Sequence, residues 1–182
     1  MNKLDNKRFA VVGMIVLIVL SVFIGAARSL YPMRSEAQQI FFEGIDKDGL
    51  GIQNDLNKRI ELAYNLVTIA HKYCDSDTDE IKAVLSARDE LTKSDSIKEK
   101  YRANVSLTEA TEDLVNDLSS YSLSDKDERY RKEIRDDLAS RNEIISSDGY
   151  NALASSFNSE LSAFPASIIG RLIGVRPLEL FA

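Results

Sequence analysis

The chain has 182 residues, among them 23 Lys and Arg, 29 Asp and Glu, one His, one Cys and no Trp. One cysteine excludes an intramolecular disulfide framework and a Cys-rich zinc module, and one histidine excludes a multi-His metal site. A net charge of −6 argues against non-specific nucleic-acid binding, which needs a basic footprint.

Residues 1–8 form a short basic segment with Lys3, Lys7 and Arg8. Residues 9–27 follow, a run of 19 without a charge. As a helix this run reaches ~29 Å, close to the ~30 Å hydrocarbon core of a bilayer. A helix also satisfies its own backbone polar groups in lipid. The alternative is a cleavable signal peptide, with Gly25 and Ala27 at the small-residue positions of a cleavage site. The run exceeds the usual core of about 7–15 residues in such peptides, so the expectation is an uncleaved transmembrane helix over 9–27. Lys3, Lys7 and Arg8 before it, against Arg28 and Arg34 after it, favour a cytoplasmic N-terminus and an exported body. Residues 28–182 hold 20 basic and 28 acidic residues, a net charge of −8.

Residues 28–51 read as a linker and the start of the first bundle helix, with Gly44, Gly49 and Gly51 as its breaks. Asp46-Lys47-Asp48-Gly49 reads as a turn. Residues 52–165 read as a bundle of long helices. Neither Gly nor Pro occurs between residues 52 and 148, whereas a β protein would need turn signals every ~8–12 residues. Leu56, Ile60, Ala63, Leu66, Val67, Ala70 and Tyr73 follow three/four spacing on the first helix, which stops in Asp75-Ser76-Asp77. Asp77 with Glu80 forms a capping-box pattern for a second helix carrying Ile81, Val84, Leu85, Arg88 and Leu91. Residues 93–96 interrupt it, and Ser96 with Glu99 repeats the pattern. Ile97, Tyr101, Leu107, Ala110, Leu114, Leu118 and Tyr121 make the next stripe. Ser124 with Asp127 caps a last long helix holding Tyr130, Ile134, Leu138, Arg141, Ile145, Tyr150, Leu153, Ala154, Phe157, Leu161 and Phe164, which Pro165 ends. The fold class is therefore all-α. One N-terminal transmembrane helix precedes an up-and-down antiparallel bundle of three to four helices of roughly 20–40 residues. One apolar stripe per helix supports a seam and implies no sharp pocket.

Motifs with chemistry fail on their anchors. Asp75-Ser76-Asp77-Thr78-Asp79-Glu80 resembles a calcium loop, but the sixth position is Glu80 where Gly is needed and the twelfth is Ser86 where Glu is needed. His71 reads as a surface or boundary residue. Cys74 lies among Asp75, Asp77 and Asp79, which raise a thiol pKa. Gly170 and Gly174 lack the Lys-Ser or Lys-Thr of a phosphate loop. No catalytic, cofactor-binding or metal-ligating residue and no cofactor is assigned. The tail, residues 166–182, is apolar but interrupted by Arg171, Arg176 and Pro177, so it does not span a membrane. It either packs back across the bundle end, docks a partner or touches the membrane interface.

Tyr150-Asn151, Phe157-Asn158 and Phe164-Pro165 recur at seven-residue steps, followed by Gly174-Val175 and Pro177 to Phe181. Seven residues are two helical turns, so the three rings share a face. The reading is a core ladder flanked by asparagines that bond a neighbouring helix, with a ring-lined binding site as the alternative. Earlier stand Arg59-Ile60-Glu61-Leu62-Ala63-Tyr64-Asn65-Leu66-Val67, Lys72-Tyr73 and Ala87-Arg88. Together these residues resemble the LemA family of bacterial membrane-anchored proteins over roughly residues 52–181. The chain departs from the family in lacking a proline at Tyr64, in Tyr121-Ser122-Leu123 replacing an aromatic-Pro turn, and through residues 123–148. The resemblance implies one transmembrane helix near the N-terminus and a bundle of long antiparallel helices, and carries over no catalytic residue.

Three functions compete. The first is a non-enzymatic scaffold or interaction module of the cell envelope. It would meet the lipid bilayer through residues 9–27, meet an unidentified protein partner through the bundle, and bind no nucleic acid. The second is an envelope ligand-sensing or binding domain. Eight residues before the anchor and no second span count against signalling across the membrane. The third is an enzyme built from scattered carboxylates, for which no constellation is visible.

Overall fold

The computed structural model describes residues 3–45, 47–75 and 77–182. Asp46 and Ser76, both assigned to turns above, and the side chain of Lys3 lie outside the described residues. The described chain is helical in seven elements: α1 Lys3–Glu43, α2 Ile52–Ala70, α3 Asp79–Lys93, α4 Ile97–Leu118, α5 Asp125–Ser147, α6 Tyr150–Ser162 and α7 Ala166–Ile173. Residues up to 38 with 153–178 form one compact unit, and residues 39–152 with 179–182 form a second.

In the first unit α1 is long and apolar enough to cross a membrane, and residues 7–22 are exposed along it. The helix continues through Pro32, which removes one backbone donor, and residues 28–43 are helical throughout. Leu30 and Ala37 of α1, Ala154, Phe157 and Leu161 of α6, Ile169 of α7, and Val175 and Leu178 beyond it are buried. α7 ends at Gly174, whose φ of 78° suits a residue without Cβ. The Val175 N–H donates to the Gly170 carbonyl at 2.8 Å.

The second unit is the bundle. α1 ends at Gly44, and Gly51 lies so close to that end that a Cβ would stand 2.7 Å from the Ile40 and Phe41 carbonyl oxygens. Only glycine permits this approach without a shift of backbone. α2 packs on α3, α4 and α5, and α4 packs on α3 and α5. Residue 55 meets 141 and residue 59 meets 138 across α2 and α5, while 104 meets 142 and 115 meets 131 across α4 and α5. Numbers rise on one helix as they fall on the other, so both pairs are antiparallel. The core is Leu56, Ala63, Leu66, Val67, Ile81, Val84, Leu91, Leu107, Leu114 and Leu118, all nearly inaccessible.

Caps set the helix starts. The Thr78 side chain accepts from the Ile81 N–H, so the cap of α3 is one residue later than the expected Asp77. Ser96 and Glu99 form the full capping box of α4, and the Ser124 side chain accepts from the Asp127 N–H. Both were legible from spacing. The expected last long helix is instead two. Asp148 takes an extended conformation, and its carboxylate accepts the Tyr150 N–H at 2.8 Å, which starts α6 afresh after Gly149. α6 stops at Ser162, ahead of Pro165. The bundle helices α2 to α5 have 19, 15, 22 and 23 residues, at or below the short end of the expected range.

Four stripe assignments are corrected. Tyr121 falls beyond α4, which ends at Leu118, and is exposed. Phe164 falls beyond α6 and is 82% exposed, so it is no rung of a core ladder, whereas Tyr150 and Phe157 are buried. Leu153 is exposed. On α5, Tyr130 is exposed beneath Lys126, and the buried position next to it is Arg131.

Phe157→Ala is expected to destabilise the protein by about 3–5 kcal/mol, the range for truncating a buried Phe. Phe164→Ala is expected to change stability by less than about 0.5 kcal/mol, as for an exposed side chain. Denaturant melts of both variants in detergent check the contrast; equal effects would contradict the assigned burial.

Candidate functional site

Within the bundle, charged residues occupy stripe positions. Arg59 on α2 is 1% exposed. Its guanidinium donates to the Leu138 carbonyl of α5 at 2.6 Å and to the Thr108 hydroxyl of α4 at 2.7 Å. Its Nε is buried and has no hydrogen-bond partner among the described residues. Burial pulls the Arg59 pKa down to about 10, opposed by the nearby Glu112 carboxylate, so the group stays charged at neutral pH. Asn104 of α4, 4% exposed, donates to Asn142 of α5 at 3.2 Å, and its Oδ1 is buried without a partner. Arg131 donates to the Val115 carbonyl at 3.0 Å and pairs with Glu128. Asp55, 3% exposed, accepts from Arg141 at 2.8 Å.

Arg59 and Asn104 line a groove between α4 and α5. One cleft of about 320 Å³ is lined by Arg59, Thr108, Glu112, Arg135, Asn142 and Glu143. A second of about 510 Å³ shares Thr108, Asn142 and Ser146 with it and continues past Asn104 and Val105 to Phe181. From Asn104 to Val115 the groove follows eleven residues of α4, about 16 Å. The groove exists because α5 buries only Ile134, Leu138 and Ile145 as apolar anchors. That helix leans chiefly on α2 and lightly on α4.

At one end of the bundle Asp127 gathers three donors. Lys72 Nζ and the Tyr73 hydroxyl each donate at 2.7 Å, and the Ser124 hydroxyl donates at 3.0 Å. These bonds, Lys72 first, hold the Asp127 carboxyl down at about 2. His71, beside them, is exposed at the end of α2. Burial first, then Asp117, Asp75 and Glu80, pushes the Cys74 thiol up. The thiol donates to the Ala70 carbonyl at 3.1 Å. A raised pKa keeps the weakly nucleophilic thiol form.

The asparagines of the seven-residue repeat bond an extended chain, where a helix was expected. In the first unit Asn158 donates to the Leu178 carbonyl at 2.9 Å and accepts the Leu178 N–H at 2.7 Å. In the second, Asn151 donates to the Phe181 carbonyl at 2.9 Å and accepts the Phe181 N–H at 2.8 Å. There the Tyr150 hydroxyl donates to the Glu179 carbonyl, and the Glu179 carboxylate accepts the Lys98 N–H at the start of α4. The Phe181 ring stands 5.9 Å from Phe41 and 5.3 Å from Tyr101, centroid to centroid. The end of the tail therefore packs back onto the bundle.

A family model for the LemA family matches residues 50–182. The chain belongs to the LemA family. A comparison with curated proteins returned no match. The matched stretch contains the whole groove and both asparagine clamps. Within this LemA-family bundle, sequence reasoning passed over Arg59 as a site residue and missed Asn104, Asn142 and Arg131. The available signal was register: Asp55, Arg59, Ala63, Leu66 and Ala70 step by three and four, so the charges sit on the apolar stripe.

Two outcomes follow. The folded-state carboxyl of Asp127 lies below the ordinary ~3.9, so its stabilisation is present above that pH and fades as pH falls toward about 2. Asp127→Asn is expected to be less stable than the native protein at pH 7, with the gap closing over that acid window in denaturant melts. Asn158→Ala strands the Leu178 N–H and carbonyl, an expected cost of about 1–3 kcal/mol. Faster hydrogen exchange at the Leu178 amide is the direct check.

Proposed function

We propose that this LemA-family chain is a non-enzymatic, membrane-anchored interaction protein of the bacterial cell envelope. Residues 9–27 hold it in the bilayer, its body lies outside the cytoplasm, and the α4–α5 groove docks a protein partner. The observation that carries the docking reading is the groove's polar lining, where Thr108, Glu112, Arg135, Asn142 and Glu143 stand along an open cleft between α4 and α5. Such side chains offer hydrogen bonds to a partner laid in the groove. The charge count around the apolar run supports the orientation.

A photo-crosslinking residue at Val105, exposed beside the groove, is expected to trap one discrete protein adduct in intact cells. The same residue at Ser86, exposed on α3, is expected to trap none. Equal adducts from both sites, or none from Val105, would remove the docking assignment. External protease is expected to digest the body while a cytoplasmic marker survives. Resistance that ends only on lysis would reverse the orientation.

The volume of the Arg59 cleft, about 320 Å³, favours a second reading as a ligand-binding domain, since small-molecule pockets begin near 300 Å³. Native mass spectrometry of the detergent-extracted protein separates the readings. A bound small molecule lost in Arg59→Met would support the ligand.

A further inference from the structure

The first unit leaves an apolar stripe uncovered on its last helix. α7 buries Ile169 and Gly170, while Ile168 is 55% and Leu172 67% exposed, with Phe164 82% exposed in the turn before it. Positions 168 and 172 are four apart, so the helical pair share one face, and Phe164 stands in the turn just before them. From Leu161 to Leu178 the chain carries Arg171 and Arg176 and no acidic residue.

The stripe has a fixed place along α1. A Cβ on Gly170 would lie 2.6 Å from Leu161 Cδ1 and 4.0 Å from Leu30 Cδ1. The Tyr31 hydroxyl donates to the Ile173 carbonyl, and Arg34 Nε donates to the Arg176 carbonyl at 3.0 Å. Residues 170, 173 and 176 thus meet residues 30, 31 and 34 in rising order. α7 runs in the same sense as α1, away from the apolar run, and the Phe164–Pro165 turn is its near end. Ala166 precedes Gly170 by four residues, about 6 Å of helix, which brings it level with Ala26. On α1 itself, Phe23, Ala26 and Ala27 are half-buried while residues 7–22 are exposed. Protein cover therefore reaches into the last turns of the apolar run.

We propose that the Phe164–Pro165 turn and the first turn of α7 form an interfacial element that dips Phe164 and Ile168 into the bilayer crossed by α1, with Leu172 at the headgroup level. Arg171 and Arg176, both exposed, reach the phosphate layer. The inference rests on the anchor reading of residues 9–27. Exposed bulky apolar groups flanked by basic residues are the composition that settles at the headgroup–acyl boundary, about 5–10 Å deep. Basic side chains extend from such a helix to lipid phosphates. Water would otherwise face three large apolar side chains in a row, an arrangement that marks an interaction surface. The partner is the lipid surface because hydrogen bonds to α1 hold this face at the mouth of the span.

The native chain has no Trp, so single substitutions report depth without background. The full chain carrying Phe164→Trp, Ile18→Trp or Ser86→Trp is reconstituted in phosphatidylethanolamine–phosphatidylglycerol vesicles with spin-labelled lipid, the label shallow or deep in the acyl chain. Phe164→Trp is expected to show blue-shifted emission and to lose most of it to the shallow label. Ile18→Trp is expected to be quenched by the deep label, and Ser86→Trp by neither. Quenching at Ile18 with Phe164 behaving like Ser86 would overturn this inference and leave the anchor standing. No quenching at Ile18 would overturn the anchor reading and this inference with it.

Discussion

A buried positive charge organises the bundle. Arg59 sits 1% exposed within the bundle, where a guanidinium whose donors lacked partners would cost several kcal/mol by order of magnitude. The neighbouring helices supply acceptors: the Leu138 carbonyl from α5 and the Thr108 hydroxyl from α4. Removing either helix would strand the charge, so α2, α4 and α5 are obliged to meet at one level. Arg131 repeats the device on a smaller scale, using the Val115 carbonyl. Arginine suits this task because its planar fork reaches two acceptors at once and holds its charge.

The extended tail obeys a related constraint. Residues beyond Gly174 have no helix or sheet to satisfy their backbone, yet Leu178 and Phe181 are buried. Each buried peptide group needs both a donor and an acceptor. An asparagine amide offers one of each on a single side chain, and Asn158 and Asn151 use both. The seven-residue spacing along α6 answers a three-residue spacing along the tail. Two helical turns rise about 10.5 Å, and three extended residues cover about 10 Å.

Much of this was legible in the sequence. The all-α class, the caps at Ser96 and Ser124 and the core positions of α2 and α4 follow from three/four spacing and the absence of Gly and Pro over residues 52–148. The failures have local causes. Asp148 looked like one more surface acid within a helical pattern, but its carboxylate bonds the Tyr150 N–H and ends α5. Phe164 matched the seven-residue step, but periodicity carries no information about where the helix stops, and α6 stops at Ser162. The groove was hidden because hydrophobic patterning treats Arg59 and Asn104 as surface residues. Register alone puts Arg59 on the stripe, but the acceptors that hold it there, Leu138 and Thr108, lie dozens of positions away.

The weakness of α5 as an apolar helix and the presence of the groove are one fact seen twice. A stripe of Leu in place of Asp127 and Arg131 would draw α5 against α4 and close the space between them by ordinary burial. Charged residues hold α5 by discrete bonds instead: Asp127 to Lys72 and Tyr73, Arg141 to Asp55, Arg131 to Val115. Discrete bonds fix direction without demanding close packing along the whole helix. Between them the α4–α5 surface stays open, floored by polar atoms. In this fold, polar ties specify the direction of α5 and leave the groove beside it open.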